Sequence, residues 1–370
     1  MAVDASTRLG HGRASPLAGY LSRAGALGLL ALVVIALPIW QGDSWTTNCS
    51  IAAIYAIVGI SLNILVGYTG QISLGQQAFL GIGAMAAANL ANSGTNPADP
   101  FSFVYSIVAA AVFGAVSAIV LGVVALRIRG LYLALVTLIF GAVTADAIFT
   151  LSSLNGHDAG VAAVRPTFVA TNAKFYVCCV VLVVVAWYVD WSLRRSKTGR
   201  ALVAIRESEP VAQAFGINVM LYKLLGFAVS GALAGLAGGL FAFKAQSFSD
   251  KDFTSAAGFN LALIFIVMVV VGGLGSRAGV LVASAFFGLL PWLLDNFFSA
   301  VGASTFYIDH KNYLPGLIGS VLLIQTVVMN PGGLGQVVHP ITSWFSGGRS
   351  GSHAESEPVG AAMGGVSVRT

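Results

Sequence analysis

Charge is what this sequence has least of. Only 9% of its 370 residues are Asp, Glu, Lys or Arg, against 57% hydrophobic, whereas a soluble domain carries about a quarter of its residues charged. That deficit excludes a soluble globule and makes the chain an integral membrane protein. Cysteine is scarce too. Cys49, Cys178 and Cys179 offer neither a disulfide framework nor a CxxC or Cys/His zinc spacing, so they read as packing residues. No G-x-x-x-x-G-K-[ST] string occurs, so there is no Walker A loop to cradle ATP, and any ATP-derived energy must come from a partner. No HExxH or other nucleophile or metal constellation is present, which argues against a membrane-embedded enzyme. Gly273, Gly275 and Ala278 satisfy GxGxx[GA] but follow a membrane span, without the strand–loop–helix unit a dinucleotide site needs. No cofactor and no nucleic-acid partner are expected.

Long apolar runs are what the chain does have. A span criterion of roughly 17 to 25 apolar residues marks ten candidate transmembrane helices, at 24–40, 49–66, 77–91, 103–126, 131–151, 174–193, 222–243, 258–272, 279–298 and 313–329. The expected fold is an all-α membrane protein of about ten spans. With the N-terminus inside, the inner segments hold Arg8, Arg13, Arg23, Arg127, Arg129, Arg194, Arg195, Lys197, Arg200, Arg206, Lys223, Arg277, Arg349 and Arg369. That is 14 of the 19 basic residues, the remainder being Arg165, Lys174, Lys244, Lys251 and Lys311. Because Lys and Arg are retained on the cytoplasmic side, both termini are expected there. Residues 1–23 form a cytoplasmic segment and 24–340 the membrane domain. No A-x-A-like site follows Ala24 to Trp40, so that run reads as an uncleaved span. Ser343 to Thr370 is rich in Gly, Ser, Ala and Glu and lacks apolar periodicity, so 341–370 is expected to be a disordered cytoplasmic tail.

Between the second and third spans lies "GYTGQISLGQQAFLGIGA", Gly67 to Ala84, with three glutamines and a serine among its glycines. The apolar run that follows, Ala78 to Leu90, reaches only about 20 Å at 1.5 Å per residue, short of a hydrocarbon core of about 30 Å. Part of Gly67 to Gln77 must therefore supply depth, giving one short broken span. Irregular backbone at that depth needs protein or a watery cavity around it. Short, Gly-interrupted spans also point to transport pathways, which makes Gly67, Tyr68, Gly70, Gln71, Ser73 and Gly75 pathway candidates. The alternative is a cytoplasmic turn with Gln71, Gln76 and Gln77 in water. Asp146, in the outer third of the fifth span, is a further pathway candidate or an interfacial acid; Asp190 and Asp295 fall near span ends.

The loop 194–221 is the longest and most basic inner segment. Arg194, Arg195, Lys197 and Arg200 are explained by topology and anionic headgroups. "ESEPVAQAFGINV" beyond them is not. It has an acidic start, Pro210 suited to a first helical turn, an apolar patch at Val211, Ala214 and Phe215, and Gly216 as a stop, the pattern of a short helix lying against something. Immediately beyond, Gly231, Gly235 and Gly239 recur four apart on one helix face, a small-residue ridge for packing within the subunit or against another.

These residues resemble the permease subunits of bacterial branched-chain amino-acid ABC importers, specifically the LivM-like subunit. The pattern G-Y-x-G-x-x-S-L-G-x-x-A-F-x-G-x-G-A is met from Gly67 to Ala84. "RGLYLALVTLIFG" from Arg129, "GRALVAIRESEPVAQAFGINVMLYKLLGFAVSGALAGLAGGLFA" from Gly199 and "VVVGGLGSRAGVLVASAF" with "MNPGGL" follow in order, so the likeness runs from about Ile51 to Leu334. The resemblance implies a non-catalytic subunit in a bacterial inner membrane. Its implied partners are a second, LivH-like permease, two ATP-binding cassette ATPases, an extracytoplasmic substrate-binding protein and membrane lipid. It assigns ATPase coupling to Glu209 to Asn218, with Glu209, Ala212, Gly216 and Asn218 as its markers. The chain departs from the family after the fifth span, where "NGHDAGVAAVRP" replaces a T-G-G-x-D-G-like loop; His157 and Asp158 there read as solvated. Relatives with very similar markers carry urea, short amides and other small solutes, so those substrates stand as the alternative. A self-sufficient secondary transporter would be expected to show several deep acids.

Overall fold

The computed structural model describes residues 42–93, 100–128, 130–148, 161–248, 261–301, 314–329 and 333–335. The first predicted span, His157 and Asp158 of the outer loop, and the tail lie outside the described residues. Helix α1, Asp43–Leu62, runs into a π-helical turn, Asn63–Tyr68; α2 is Gln76–Ser93, α3 Pro100–Ala125, and α4 Leu131–Val143 with a π-turn Thr144–Ile148. After a two-residue strand β1, Val161–Ala162, come α5 Asn172–Arg195, α6 Lys197–Glu207, α7 Glu209–Ala214 and α8 Val219–Ala245. Strand β2, Ser247–Phe248, pairs antiparallel with β1. Helices α9 Leu261–Gly272, α10 Arg277–Ala300 and α11 Leu314–Met329 follow.

By length and composition five of these segments can cross a membrane: Asp43–Tyr68, Pro100–Ala125, Asn172–Arg195, Val219–Ala245 and Arg277–Ala300. Leu131–Val143, Leu261–Gly272 and Gly316–Thr326 are shorter apolar helices. The architecture is thus helical with several clear spans. Helix α2 is less apolar than the spans around it and is largely buried among them.

Helix α1 is the centre. Its most apolar stretch is 89% buried, packed by α5, α8 and α10. Polar residues near its start are self-satisfied: Thr46 Oγ1 donates to Gly42 O at 2.6 Å and Ser50 Oγ to Thr46 O at 2.9 Å. Such i−4 bonds are the means by which a hydroxyl enters an apolar setting without an outside partner. Helix α8 packs against α3 and α2 along the glycine ridge. A Cβ on Gly231 would stand 2.3 Å from Ala118 Cβ, on Gly235 2.3 Å from Ala110 O, and on Gly239 2.9 Å from Ala110 Cβ. This chain's own α3 therefore covers the ridge, and close backbone approach is what the missing side chains permit.

The helix ends fall into two groups. At one end Tyr68 meets Asp190, Arg206 meets Gly67, Gly275 meets Asn63 and Lys223 meets Glu209. At the other, Trp45 and Trp292 stand 4.2 Å apart edge to face, and Phe103 lies against Phe168 and Phe243 at 5.5 and 4.7 Å. There Arg165 also caps α8: its guanidinium donates to Phe243 O, Lys244 O and Asn172 Oδ1 at 2.7, 3.1 and 2.8 Å. Burial lowers the Arg165 pKa from its ordinary value, because removing water disfavours the charged form.

The first group carries the basic loop, the end that the charge bias of the sequence expects to face the cytoplasm. Single cysteines at Ser208 and Thr171, in a chain lacking the three native ones, are expected to react with impermeant maleimide from opposite faces of sealed vesicles. Labelling of both from one face contradicts that orientation.

Candidate functional site

The stretch after Tyr68 turns at Gly70, whose φ of +68° lies in the left-handed region that favours glycine. It then runs without helix through Gly75. It does not rest in water. Gln71, Ser73, Gln76 and Gln77 are buried, which overturns the reading of a solvated cytoplasmic turn. Gln76 Nε2 donates to Ser61 Oγ at 2.5 Å and to Ser230 Oγ at 3.0 Å. Ser61 lies seven residues before Tyr68 on the same helical segment, so the chain climbs back about 10 Å between Tyr68 and Gln76. Its amides find partners on the way: Gln71 N donates to Leu65 O at 3.3 Å, Leu74 N to Thr137 Oγ1 at 2.9 Å and Gly75 N to Ser73 Oγ at 3.4 Å. Gln77 Oε1 in turn accepts from Ala262 N at 3.1 Å, serving an amide in the first turn of α9. Gly75 must be small, since a Cβ would stand 2.9 Å from Thr137 O.

At the foot of α1 lies a charged clasp. Tyr68 Oη donates to Asp190 Oδ2 at 3.0 Å, and Arg277 Nε stands 3.5 Å from the same oxygen. Arg194 lies 5.7 Å from the centre of the Tyr68 ring, and Arg277 5.6 Å from that of Trp187. Asp190 is fully buried. One carboxylate thus joins α1, α5 and α10. Beside it Asn63 Oδ1 accepts from Gly275 N at 2.9 Å, and a Cβ on Gly67 would meet Asn63 Oδ1 at 2.6 Å and Gly275 N at 2.9 Å.

The segment from Glu209 to Asn218 is a short helix with defined ends. Ser208 is extended and separates α6 from α7, and Pro210 sits in the first turn. Gly216, at φ +79°, donates to Gln213 O at 2.9 Å while Ile217 N donates to Ala212 O at 3.1 Å, a Schellman termination. Asn218 Oδ1 then accepts from Leu221 N at 3.2 Å and caps α8. Two of the predicted coupling residues face inward. Ala212 packs on Ile205 and Val219, and Glu209 pairs with Lys223. Neither is free for a partner; Phe215, 82% exposed, and Val211, 54% exposed, are the apolar surface instead.

A cavity of about 310 Å³ joins these parts, lined by Gly70, Gln71 and Ile72 of the corner, Gly130 and Leu131 at the start of α4, and Arg206 to Glu209. Of the predicted pathway residues, Gly70 and Gln71 border it, whereas Gly67, Tyr68, Ser73 and Gly75 are packed. Asp146 falls within the π-turn Thr144–Ile148, away from the corner in sequence. Sequence reasoning passed over Asp190 as close to water, and Thr137, Ser61 and Ser230 altogether. The available signal was an acid inside an apolar run, one helical turn before Arg194.

Residues 47–327 match the family model described as branched-chain amino acid transport system / permease component. The chain belongs to this permease family. It is 29% identical over 358 residues to the high-affinity branched-chain amino acid transport system permease protein LivM of Salmonella typhimurium, covering 89% of this chain and 79% of the relative. The LivM protein of Escherichia coli is 28% identical with the same coverage. The galactose/methyl galactoside import permease protein MglC of Salmonella typhimurium is 25% identical over 327 residues, 83% of this chain and 93% of that one. No solved structure matches the permease.

The clasp orders two substitutions in this permease. Tyr68→Phe removes one hydrogen bond to a charged group, worth about 1.5–3 kcal/mol. Asp190→Ala leaves both Tyr68 and Arg277 unpaired, and breaking a buried pair costs about 3–5 kcal/mol, less here because Arg277 is 24% exposed. Thermal unfolding in detergent is expected to show the larger loss for Asp190→Ala; equal or reversed losses contradict the clasp.

Proposed function

We propose that this chain is the membrane-spanning subunit of an ATP-driven importer for branched-chain amino acids in a bacterial inner membrane. The observation that carries the reading is the match to the LivM permeases over 89% of the chain. Transport is its work and it performs no chemistry of its own. ATP hydrolysis belongs to two partner ATPases, and a second permease and an extracytoplasmic binding protein complete the assembly. The exposed apolar faces, such as Phe101, Val112 and Phe113 on α3, suit lipid or the second permease. In this reading the broken span Gly67 to Gly75 is the inner gate, and the cavity at Gly70 and Gln71 is its cytoplasmic mouth. A second substrate reading is a sugar or another small solute, favoured by the likeness to a galactoside import permease; urea and short amides belong to the same alternative.

Reconstituted alone, the chain is expected to move no leucine and hydrolyse no ATP. With the partner permease, ATPases and binding protein in liposomes, ATP-dependent leucine uptake should be competed by isoleucine and valine but not by galactose or urea. Substantial flux through the chain alone makes a secondary transporter the better account, and competition by galactose or urea favours the other substrates.

Docking of the ATPases on Val211 and Phe215 gives a second expectation. Phe215→Asp places a charge in an apolar contact, and a desolvated unpaired charge costs about 3–5 kcal/mol, a few hundredfold or more in affinity. Gly216→Pro fixes φ near −65° where +79° is needed and deletes the donor to Gln213 O. Both variants should reach the membrane and fail to retain ATPase on purification. Full retention by Phe215→Asp makes this face a solvated surface.

A further inference from the structure

We infer that Arg206 is the positioning residue through which the segment Glu209 to Asn218 acts on the broken span; this rests on the docking role proposed for that segment. Arg206 lies in the last turn of α6, two residues before the break at Ser208. Arg206 is an exposed residue, yet its guanidinium reaches the end of the π-turn, where Nη1 donates to Gly67 O. That carbonyl is among the last four of α1 and its π-turn, groups without a helical donor of their own. A cation there also meets the negative end of the helix dipole. The same side chain lies over the corner: a Cβ on Gly70 would stand 3.0 Å from Arg206 Cγ, and one on Gly275 3.9 Å from Nη1. Three elements therefore lie along one side chain: the end of α1 at the guanidinium, the turn into the broken span at the aliphatic stem, and, near the guanidinium, the α9–α10 turn that Asn63 ties to α1.

Arg206 is also fastened to the docking helix. Ile205 beside it packs on Ala212 of α7, and Ala212 N donates to Ser208 O at 3.0 Å. A push on α7 therefore moves α6 with it. Two other cations of this loop reach elsewhere: Arg195 stacks on Trp191 at 4.0 Å and Arg200 donates to Arg195 O at 2.9 Å. Arg194 of α5, upstream of the docking segment, lies 5.7 Å from the centre of the Tyr68 ring. Arg206 is where a displacement of α7 arrives at the gate.

The test uses the full complex in liposomes, with labelled leucine as probe. In Arg206→Met the ATPases should co-purify as with the parent chain and ATP hydrolysis should continue. Leucine moved per ATP hydrolysed should fall by about tenfold or more, within the range of coupling between linked sites. Arg206→Lys, which keeps a cation and a donor, should give an intermediate ratio. An unchanged ratio in Arg206→Met, or hydrolysis and uptake falling in parallel, overturns the inference. If Arg206→Met does not accumulate, Arg206→Lys carries the test with a cysteine at Ile72, which lines the cavity. The change in its maleimide reactivity between nucleotide-free and ATP-trapped complex should shrink; a change as large as the parent's overturns the inference. Absence of ATPase from the parent complex removes the docking reading and this inference with it, whereas normal docking with an unchanged ratio removes Arg206 alone.

Discussion

Backbone without helix, carrying the buried side chains of Gln71 and Ser73 into the helix bundle, is the constraint on which the interior depends. Each unpaired amide or carbonyl in such a setting costs several kcal/mol, so neighbouring helices supply partners to residues 69–75. Thr137 gives a hydroxyl to Leu74 N and Leu65 O receives Gln71 N. Ser61 and Ser230 hold Gln76. Thr137, Ser61 and Ser230, hydroxyls inside apolar helices, are thus partners of this segment and of the glutamine that follows it.

The same need explains where arginine is used. Helices that end inside the protein expose carbonyls, and Arg165 and Arg206 reach from neighbouring segments to cover them at opposite ends of the molecule. Arg165 lies over the Phe175 ring at 4.3 Å, which fixes the guanidinium while it binds α8. A guanidinium suits this work because its donors diverge and it stays charged when partly desolvated. Lysine in the same places would offer fewer fixed directions.

Much of the architecture was legible in the sequence because lipid makes the rule simple: long apolar runs become helices. Boundaries of α3, α5, α8 and α10 fall within a few residues of the apolar runs. α1 begins earlier than its run because Thr46, Asn48 and Ser50 bond to their own helix and so cease to act as polar stops. The shortness of Ala78 to Leu90 accords with a helix that begins only at Gln76, after residues 70–75 without helix. What the sequence could not show was direction. Ala212 and Phe215 are both apolar residues of one short segment, yet one packs on Ile205 and the other faces out, a distinction their apolar character alone does not make. Asp190 was hidden for a related reason, since its partners Tyr68 and Arg277 lie 122 and 87 positions away in the chain.

The two faces of the α3–α8 pair stand under opposite demands. On the inner face a single methyl is too much, because a Cβ on Gly235 would lie 2.3 Å from Ala110 O and one on Gly114 2.3 Å from Gly231 O. On the outer face Val104, Val108, Val112 and Val116 are exposed and meet little among the described residues. Tolerance is therefore one-sided: the seam admits no added methyl without moving a backbone, while the exposed face of α3 has no neighbour among the described residues to constrain side-chain size.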